Sequence, residues 1–324
     1  MRDRAGTRVA VLGARGIGRH HAHWWRVEGA EVCAVLGRTP DSAAAAAADL
    51  RERWGIEAGA YHELTALLDA ERPGVVDVCS PPEAHAAQAA AALEAGCDVL
   101  CEKPLVFDAS RTVDRMRQEA AALADLAAGR GRRLALCSQY AVVAQEIRAR
   151  IEARKGPVTV QSIEGRLASP ARGRAPDPAR TWMDLGPHLV AAAQTLAPGG
   201  AMAPASLRVQ SAGHRVDVAF KLERPDGVPV ACSLTVDHTD GEPAHVRRLA
   251  LNGHAFDVHG EPGSDGHYGA RYEGPGGSVR RADPMRQLIR EFLAGRDMLG
   301  AAAALANQAV LLAVWERLRP GGAG

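Results

Sequence analysis

The chain has 324 residues, of which 47% are hydrophobic and 24% charged, with a formal net charge of +1. This length and hydrophobic content predict about two globular domains with buried cores. The balanced charge, without a basic stripe or an acidic tail, argues against nucleic acid as a partner, and no apolar run approaches membrane-spanning length. No apolar signal region precedes the first predicted strand, so we expect a cytoplasmic protein.

Cysteine and lysine usage narrow the expected chemistry. The six cysteines include no Cys-x-x-Cys pair and fall mostly in predicted strands, so we expect buried thiols, without disulfides or a metal site. Of 39 lysine and arginine residues, only three are lysines: Lys103, Lys155 and Lys221. Because arginine hardly deprotonates, a lysine in such a background is a candidate for work that needs a titratable amine.

The first predicted strand starts at Arg8 and runs through a glycine-rich turn into a helix. Gly13 can adopt the backbone angles of the turn, and Gly18 lets the helix pack closely against the strand. The first amides of the helix lack carbonyl partners and can bind a pyrophosphate. Arg15 stands where the G-x-G-x-x-G fingerprint has its middle glycine. The predicted dinucleotide-binding residues here are Gly13, Arg15, Gly16, Ile17 and Gly18.

Strands and helices then alternate up to residue 138. The predicted strands are 31–36, 75–79, 99–101 and 133–138, and the predicted helices open at Thr39-Pro40 and span 83–95 and 108–128. This alternation predicts an α/β fold: a Rossmann domain over residues 1–138 with a doubly wound parallel sheet.

From Val158 onward the hydrophobic pattern changes to a period of two. Apolar and polar residues alternate over 216–222 and 228–236, which predicts a largely antiparallel sheet with one buried face. The segment 172–178 is rich in Pro, Arg and Gly and is predicted to be a mobile loop.

Two helices, at 284–294 and 301–318, are predicted to close the chain. We therefore assign residues 139–324 to an α+β domain for substrate binding and oligomerisation, with its C-terminal helices packing back.

Lys103 follows a predicted strand and so lies at the carboxyl edge of the parallel sheet, where open α/β sheets bind their ligands. Four motifs occur in order along the chain. They are the glycine turn with His21, Asp77-Val78-Cys79-Ser80-Pro81-Pro82 with His85, Glu102-Lys103-Pro104, and Asp184-Leu185-Gly186-Pro187-His188. With these motifs, residues 8–196 resemble the glucose-fructose oxidoreductase, inositol dehydrogenase and rhizopine-catabolism (Gfo/Idh/MocA) family.

The resemblance implies an enzyme that moves a hydride between a nicotinamide cofactor and a sugar-like, polyol or keto substrate. A proton must accompany the hydride, and the Lys103 amine can give or take it. The resemblance also implies a cis peptide before Pro104 and a homodimer or homotetramer formed through the C-terminal sheet. The implied catalytic residues are Lys103, Asp184 and His188, and the implied cofactor-binding residues include Ser80, Pro81, His85, Glu102 and Lys103. Thr181-Trp182-Met183 departs from the family pattern, which has glycines there.

The second predicted strand ends at Leu36-Gly37-Arg38-Thr39, where enzymes that use NAD usually carry an acidic residue for the ribose hydroxyls. Gly37 cannot accept those hydrogen bonds. Arg38 can pair with a 2′-phosphate, and Thr39 with the amides of the next helix can add donors. We therefore predict that NADP(H) is favoured over NAD(H) and that Arg38 and Thr39 bind it.

Asp184 and His188 stand four residues apart where a helix is predicted to begin, so both side chains lie on one face. A proline at position 187 fits this prediction, because a first-turn proline loses no hydrogen bond. We expect His188 to hydrogen-bond the reacting hydroxyl or relay its proton, and Asp184 to orient it or bind a neighbouring hydroxyl. In the alternative interpretation, Asp184 caps the helix and His188 is a packed histidine. Gln139 and Tyr140 are candidates to line the pocket.

Two other functions stay open at this point. A protein with the same motifs can oxidise a sugar transiently and so cleave or epimerise it, with no net cofactor turnover, or it can be a ligand-sensing regulator without catalysis. The presence of Lys103, Asp184 and His188 argues against the regulator. A short-chain dehydrogenase is set aside, because no tyrosine has a lysine four residues further on.

Overall fold

The computed structural model describes residues 6–263 and 266–319, and the chain divides into two units. The first unit comprises the residues up to Cys137 and the segment Met285–Leu305. The second comprises Ser138–Pro284 and the residues from Ala306 onward. Among the helices of the described residues, none combines the length and the apolar character needed to span a lipid bilayer.

A parallel six-stranded sheet forms the middle of the first unit. Its strands are β1 (Arg8–Leu12), β2 (Glu31–Leu36), β3 (Gly59–Tyr61), β4 (Val75–Val78), β5 (Asp98–Glu102) and β6 (Leu134–Cys137). Their order across the sheet is β3-β2-β1-β4-β5-β6, and every neighbouring pair is parallel. The apolar residues of β1 and β4 are almost fully buried, as expected for strands covered on both faces.

Five helices connect these strands in turn. They are α1 (Ile17–Val27), α2 (Pro40–Trp54), α3 (Leu64–Glu71), α4 (Pro82–Glu94) and α5 (Val113–Arg130). The order in which strands are added to the sheet reverses between β1 and β4, which opens the crevice where doubly wound sheets bind ligands. The predicted Rossmann fold is therefore confirmed. The sequence analysis did not predict β3 and α3, and α5 starts five residues later than predicted because Thr112 caps it.

A nine-stranded sheet occupies the second unit. Its strands are β7 (Ser162–Pro170), β8 (Ala201–Met202), β9 (Arg208–Ala212), β10 (Arg215–Glu223), β11 (Pro229–Thr239), β12 (Val246–Leu251), β13 (His254–Pro262), β14 (Tyr268–Gly274) and β15 (Gly277–Ala282). The order is β15-β14-β13-β12-β7-β11-β10-β8, with β9 paired to β10. Within the described residues only the β7–β11 pair is parallel, so the predicted largely antiparallel sheet is confirmed.

Two helices of this unit, α6 (Tyr140–Lys155) and α7 (Pro178–Leu196), pack against each other, and α7 covers β7, β10 and β11. The buried positions of β10 and β11 alternate with exposed ones, as the sequence pattern predicted. The core of the second unit therefore lies between α7 and one face of the sheet.

Helix α7 begins earlier than the sequence analysis predicts. Asp177 is its N-cap, since the Asp177 side chain accepts a hydrogen bond from the Arg180 backbone at 2.8 Å. Pro187 therefore lies inside the helix, and the prediction that it lies in the first turn is wrong. The interpretation of Asp184 as the cap is excluded for the same reason. An Asp followed by Pro at the first helical position is a strong start signal, and the glycine and arginine around it obscured this signal in the sequence.

The chain returns to the first unit after residue 284, with α8 (Pro284–Leu293), and then continues into α9 (Ala301–Leu318). The Arg133 guanidinium donates to the Phe292 carbonyl oxygen at 2.7 Å. The Glu28 carboxylate pairs with Arg286 and Arg290 at 2.5 and 2.7 Å. Both helices lie where they were predicted, but residues 285–305 belong to the first unit, whereas the sequence analysis assigned them to residues 139–324.

Candidate active site

The glycine turn after β1 lies against the segment that follows β4. Gly13 has a φ of +85°, and a Cβ atom there would lie 2.8 Å from the Ser80 backbone nitrogen. A Cβ atom on Gly18 would clash with the Gly13 carbonyl oxygen. Only glycine fits either position, so the structure brings Gly13, Gly18 and Ser80 together as the motifs predict.

The N-terminus of α1 offers an uncapped set of backbone amides. Gly16, with a φ of +61°, is the cap residue, so no side chain accepts from the first turn, and that turn holds no acidic residue. Ile17 is 49% exposed at the first helical position, although it is a large apolar side chain, and Arg15 is exposed beside it. Free amides and the positive end of the helix dipole fit a pyrophosphate, so this cradle suits a dinucleotide.

Position 37, directly after β2, has no room for a side chain. A Cβ atom on Gly37 would lie 2.7 Å from the Ala43 Cα atom. Arg38 is exposed and forms no ion pair with another described residue. The Thr39 hydroxyl accepts from the Ser42 backbone at 3.2 Å and so caps α2. The Arg38 guanidinium is therefore available to pair with an anion. The Thr39 hydroxyl oxygen already accepts the hydrogen bond that caps α2.

Lys103 follows β5, and the residues on either side of it are held by hydrogen bonds. One Glu102 carboxylate oxygen accepts from the Lys103 backbone N–H at 3.2 Å. The ring nitrogens of His85 lie 2.8 Å from the carbonyl oxygens of Pro104 and Ser80. The Lys103–Pro104 peptide is cis, as the family resemblance implies. Glu102 and His85 are both buried, so in this structure they support the backbone around Lys103.

Asp184 and His188 belong to the second unit, on α7, and each has a neighbour that the sequence did not indicate. The Asp184 carboxylate lies 3.1 Å from His238 Nε2, a nitrogen of a histidine that is only 3% exposed. The Nδ1 atom of His188 lies 3.0 Å from the hydroxyl of the buried Ser138. His188 also contacts Tyr140, with 5.3 Å between the ring centroids. These contacts restrict the orientations of both side chains.

Gln139 and Tyr140 line a cavity of about 140 Å³ in the second unit, together with Arg247 and Tyr268. Burial raises the pKa of the Tyr140 hydroxyl above its usual 10.0, so this hydroxyl is neutral and can donate a hydrogen bond. The structure thus connects the predicted pocket residues to His188 through the Tyr140 ring.

Sequence reasoning missed Ser138, His238 and the partners of His21. For His238 a signal was present: it continues the buried positions of β11 after Val236, and a histidine at a buried strand position needs a polar partner. Asp77 carries the same kind of signal, because it interrupts an apolar strand that is buried along its whole length. Ser138 has no such pattern.

The chain is similar to known proteins in sequence and in fold, and the sequence similarity is confined to parts of the chain. Residues 7–136 match the model of an oxidoreductase family with an NAD-binding Rossmann fold. Two curated relatives match only parts of the chain. The D-glucoside 3-dehydrogenase of Escherichia coli K12 is 38% identical over 99 residues, which are 30% of this chain and 27% of that protein. The inositol 2-dehydrogenase of Streptomyces avermitilis is 36% identical over 115 residues, which are 35% of this chain and 32% of that protein.

The whole fold matches a solved structure. The UDP-N-acetylglucosamine 3-dehydrogenase of Acidithiobacillus ferrooxidans superimposes with a TM-score of 0.71 at 23% identity, over 97% of this chain and 99% of that one. At this identity the likeness establishes the fold of both units. The family match rests on the first unit, where the glycine turn and the Glu102-Lys103-Pro104 motif lie. Residues 7–136 of that unit therefore resemble the Gfo/Idh/MocA family of oxidoreductases, whose model they match.

Proposed function

We propose that this protein is an NAD(P)-dependent oxidoreductase that transfers a hydride between the nicotinamide and a ring CH–OH or C=O group of a sugar or polyol. The observation that carries the proposal is the position of Lys103, one of three lysines in the chain, at the end of β5. Hydrogen bonds of Glu102 and His85 fix the backbone on either side of it. The ends of β1, β4 and β5 are neighbours on one sheet edge, so the glycine turn, Ser80 and Lys103 share that edge.

The residues present fit the cofactor. Gly13, Gly16, Gly18 and the first amides of α1 would hold the pyrophosphate, because the turn has no side chains to fill that space. When bound, the nicotinamide accepts or supplies the hydride. All three similar proteins are named as dehydrogenases. Two of the names give a sugar derivative as the substrate and the third gives inositol, which supports a cyclic polyol as the substrate class.

Lys103 is proposed to handle the proton. In the oxidising direction its amine takes the proton of the substrate hydroxyl as the carbon loses its hydride, and in the reducing direction its ammonium gives that proton back. His188 is proposed to hydrogen-bond the same hydroxyl or to relay its proton, while Asp184 orients the substrate through a neighbouring hydroxyl. Contacts of His188 with Ser138 and of Asp184 with His238 support these roles, since they restrict the two side chains.

NADP(H) is proposed as the preferred cofactor. The missing acidic side chain after β2 and the free guanidinium of Arg38 support this preference. A homo-oligomer formed through the nine-stranded sheet stays a prediction from the family resemblance.

The experiment is a fluorescence titration with NADPH and NADH, followed by turnover of a panel of cyclic polyols and their ketones with the tighter cofactor. Lys103→Ala should abolish most turnover and leave the dissociation constant of NADPH within about twofold, because the amine acts on the substrate oxygen. Lys103→Arg should fail almost as severely, since guanidinium hardly deprotonates. Lys221→Ala, on the exposed side of β10, is the matched control and should behave as wild type. Turnover by Lys103→Ala near the wild-type rate would refute the role of this residue.

A further inference from the structure

We propose that His21 is a positioning residue for Lys103, because its imidazole holds the Glu102 carboxylate that accepts from the Lys103 backbone. The proposal rests on the proton-handling role proposed for Lys103. His21 itself is fully buried in the first unit, so it acts through Glu102 and not by contact with a ligand.

The contacts run from α1 to the residue after β5. His21 Nε2 lies 3.3 Å from Oε1 of Glu102, which is an ion-pair distance without the alignment of a hydrogen bond. The other oxygen, Oε2, accepts the hydrogen bond from the Lys103 N–H at 3.2 Å. Each carboxylate oxygen of Glu102 therefore has its own neighbour, and the Glu102 side chain cannot rotate without losing one of them. The helix that follows the glycine turn is linked in this way to the backbone of Lys103.

The opposite nitrogen of His21 determines the orientation of the ring. His21 Nδ1 lies 2.9 Å from Oδ2 of Asp77, and the same oxygen accepts from Trp25 Nε1 at 2.6 Å. Asp77 is completely buried on β4, so its position does not depend on solvent. A carboxylate on one ring nitrogen directs the other nitrogen, which here is the one next to Glu102.

The groups packed around His21 come from α1 and from three strands of the parallel sheet. They are Trp25 on α1, Asp77 and Cys79 on and after β4, Glu102 on β5 and Cys137 on β6. Burial lowers the pKa of His21, but the Asp77 carboxylate raises it through its charge and its hydrogen bond, and the net shift is upward from 6.5. The thiols are neutral, because burial raises the pKa of Cys137 to about 12 and that of Cys79 well above 9.0.

As an imidazolium, His21 is hydrogen-bonded to Asp77 through Nδ1 and carries positive charge beside Glu102 at Nε2. Loss of the polar group at the Nε2 position would remove this neighbour from the buried Glu102 carboxylate, which is costly. Positioning of Lys103 from the Glu102 side thus depends on the group at the Nε2 position, whereas His85 holds the Pro104 side.

Two variants of His21 separate the two ring nitrogens. The amide nitrogen of His21→Gln comes close to the place of Nε2 and can still donate to Glu102. The amide nitrogen of His21→Asn comes close to the place of Nδ1 and can donate only to Asp77. If His21 acts on Lys103 through Glu102, His21→Gln should keep turnover within about threefold of wild type, whereas His21→Asn should lose about tenfold or more. The KM for NADPH should change little in either variant.

A readout independent of turnover uses the scarcity of lysine. Reductive methylation with ¹³C-formaldehyde labels Lys103, Lys155, Lys221 and the amino terminus, and Lys103→Arg assigns the Lys103 resonance. We expect the Lys103 resonance to move in His21→Asn and to stay near its wild-type position in His21→Gln. The Lys155 and Lys221 resonances, from the second unit, serve as internal controls and should stay unchanged in both.

The proposal is overturned if the Lys103 resonance is the same in wild type and His21→Asn, or if all lysine resonances move together, which would indicate a general loss of structure. It is also overturned if His21→Asn turns over faster than His21→Gln. Failure of the proposed function looks different: the wild-type protein would turn over no substrate, while the Lys103 resonance would still move in His21→Asn alone.

Discussion

Removal of the Arg38 guanidinium should weaken NADPH and leave NADH almost unaffected. Arg38 is exposed at the end of β2 and forms no ion pair with another described residue, so Arg38→Ala removes no contact that stabilises the fold. A side chain on Gly37 would meet the backbone of Ala43, so position 37 cannot carry a carboxylate as a ribose ligand. Discrimination between the two cofactors is therefore expected to depend on Arg38.

The size of the effect follows from the kind of contact. A hydrogen bond between charged groups contributes about 1.5–3 kcal/mol, and exposure to solvent puts Arg38 in the lower part of that range. About 1.5–2 kcal/mol corresponds to a roughly 10- to 30-fold higher dissociation constant for NADPH. For NADH, which has no 2′-phosphate, we expect a change below about threefold.

The assay is a fluorescence titration of wild type and Arg38→Ala with both cofactors at low and high salt. Arg51→Ala, an exposed arginine on α2, is the matched control for the loss of one positive charge. High salt should reduce the advantage of NADPH in wild type and have less effect in Arg38→Ala. Equal weakening of NADPH and NADH, or an equal effect of Arg51→Ala, would refute the reasoning.

Three more expectations follow from contacts described above. His188→Ala should lower kcat by about 100-fold with little change in Tm, and a variant that loses stability but keeps its specific activity would show a packing role instead. Gly13→Ala should destabilise the protein by about 1–3 kcal/mol in chemical denaturation, since its Cβ atom meets the Ser80 backbone at a positive φ. Burial raises the pKa of Glu28, but its bonds to Arg290 and Arg286 outweigh burial and leave this pKa below 4.5. The stabilisation from Glu28 is therefore present above pH 4.5 and lost as pH falls through the lowered pKa, so Glu28→Gln should lower Tm at pH 7 and converge with wild type in acid.

The sequence predicted those features that depend on local pattern. The β2 strand was predicted at its observed bounds, because its apolar run is followed by glycine and by a cap with proline. The glycine turn and Lys103 were found because chain order alone places them at strand ends. The start of α7 was missed, since Pro187 suggests a helix start, whereas the helix continues through it while packed over the sheet.

The features that the sequence did not predict depend on contacts between residues far apart in the chain. Nothing near Asp184 in the sequence indicates His238, which reaches it from β11. Glu28 and Arg290 are separated by 262 residues, so no local pattern could place α8 beside α1. His21, Asp77 and Glu102 could each be recognised as polar residues among apolar neighbours, but their pairing depends on how α1 crosses the sheet edge.

The return of residues 285–305 to the first unit has a consequence for protein synthesis. On a translating ribosome the six parallel strands emerge before α8, so the surface that receives Phe292 and the Glu28 carboxylate stay uncovered until α8 has been made. The Trp25 ring, which meets Phe292 edge-on, is part of that surface. A nascent chain that stops at residue 137 therefore exposes apolar area that chaperones bind, and premature termination anywhere before α8 leaves the nucleotide-binding unit incomplete.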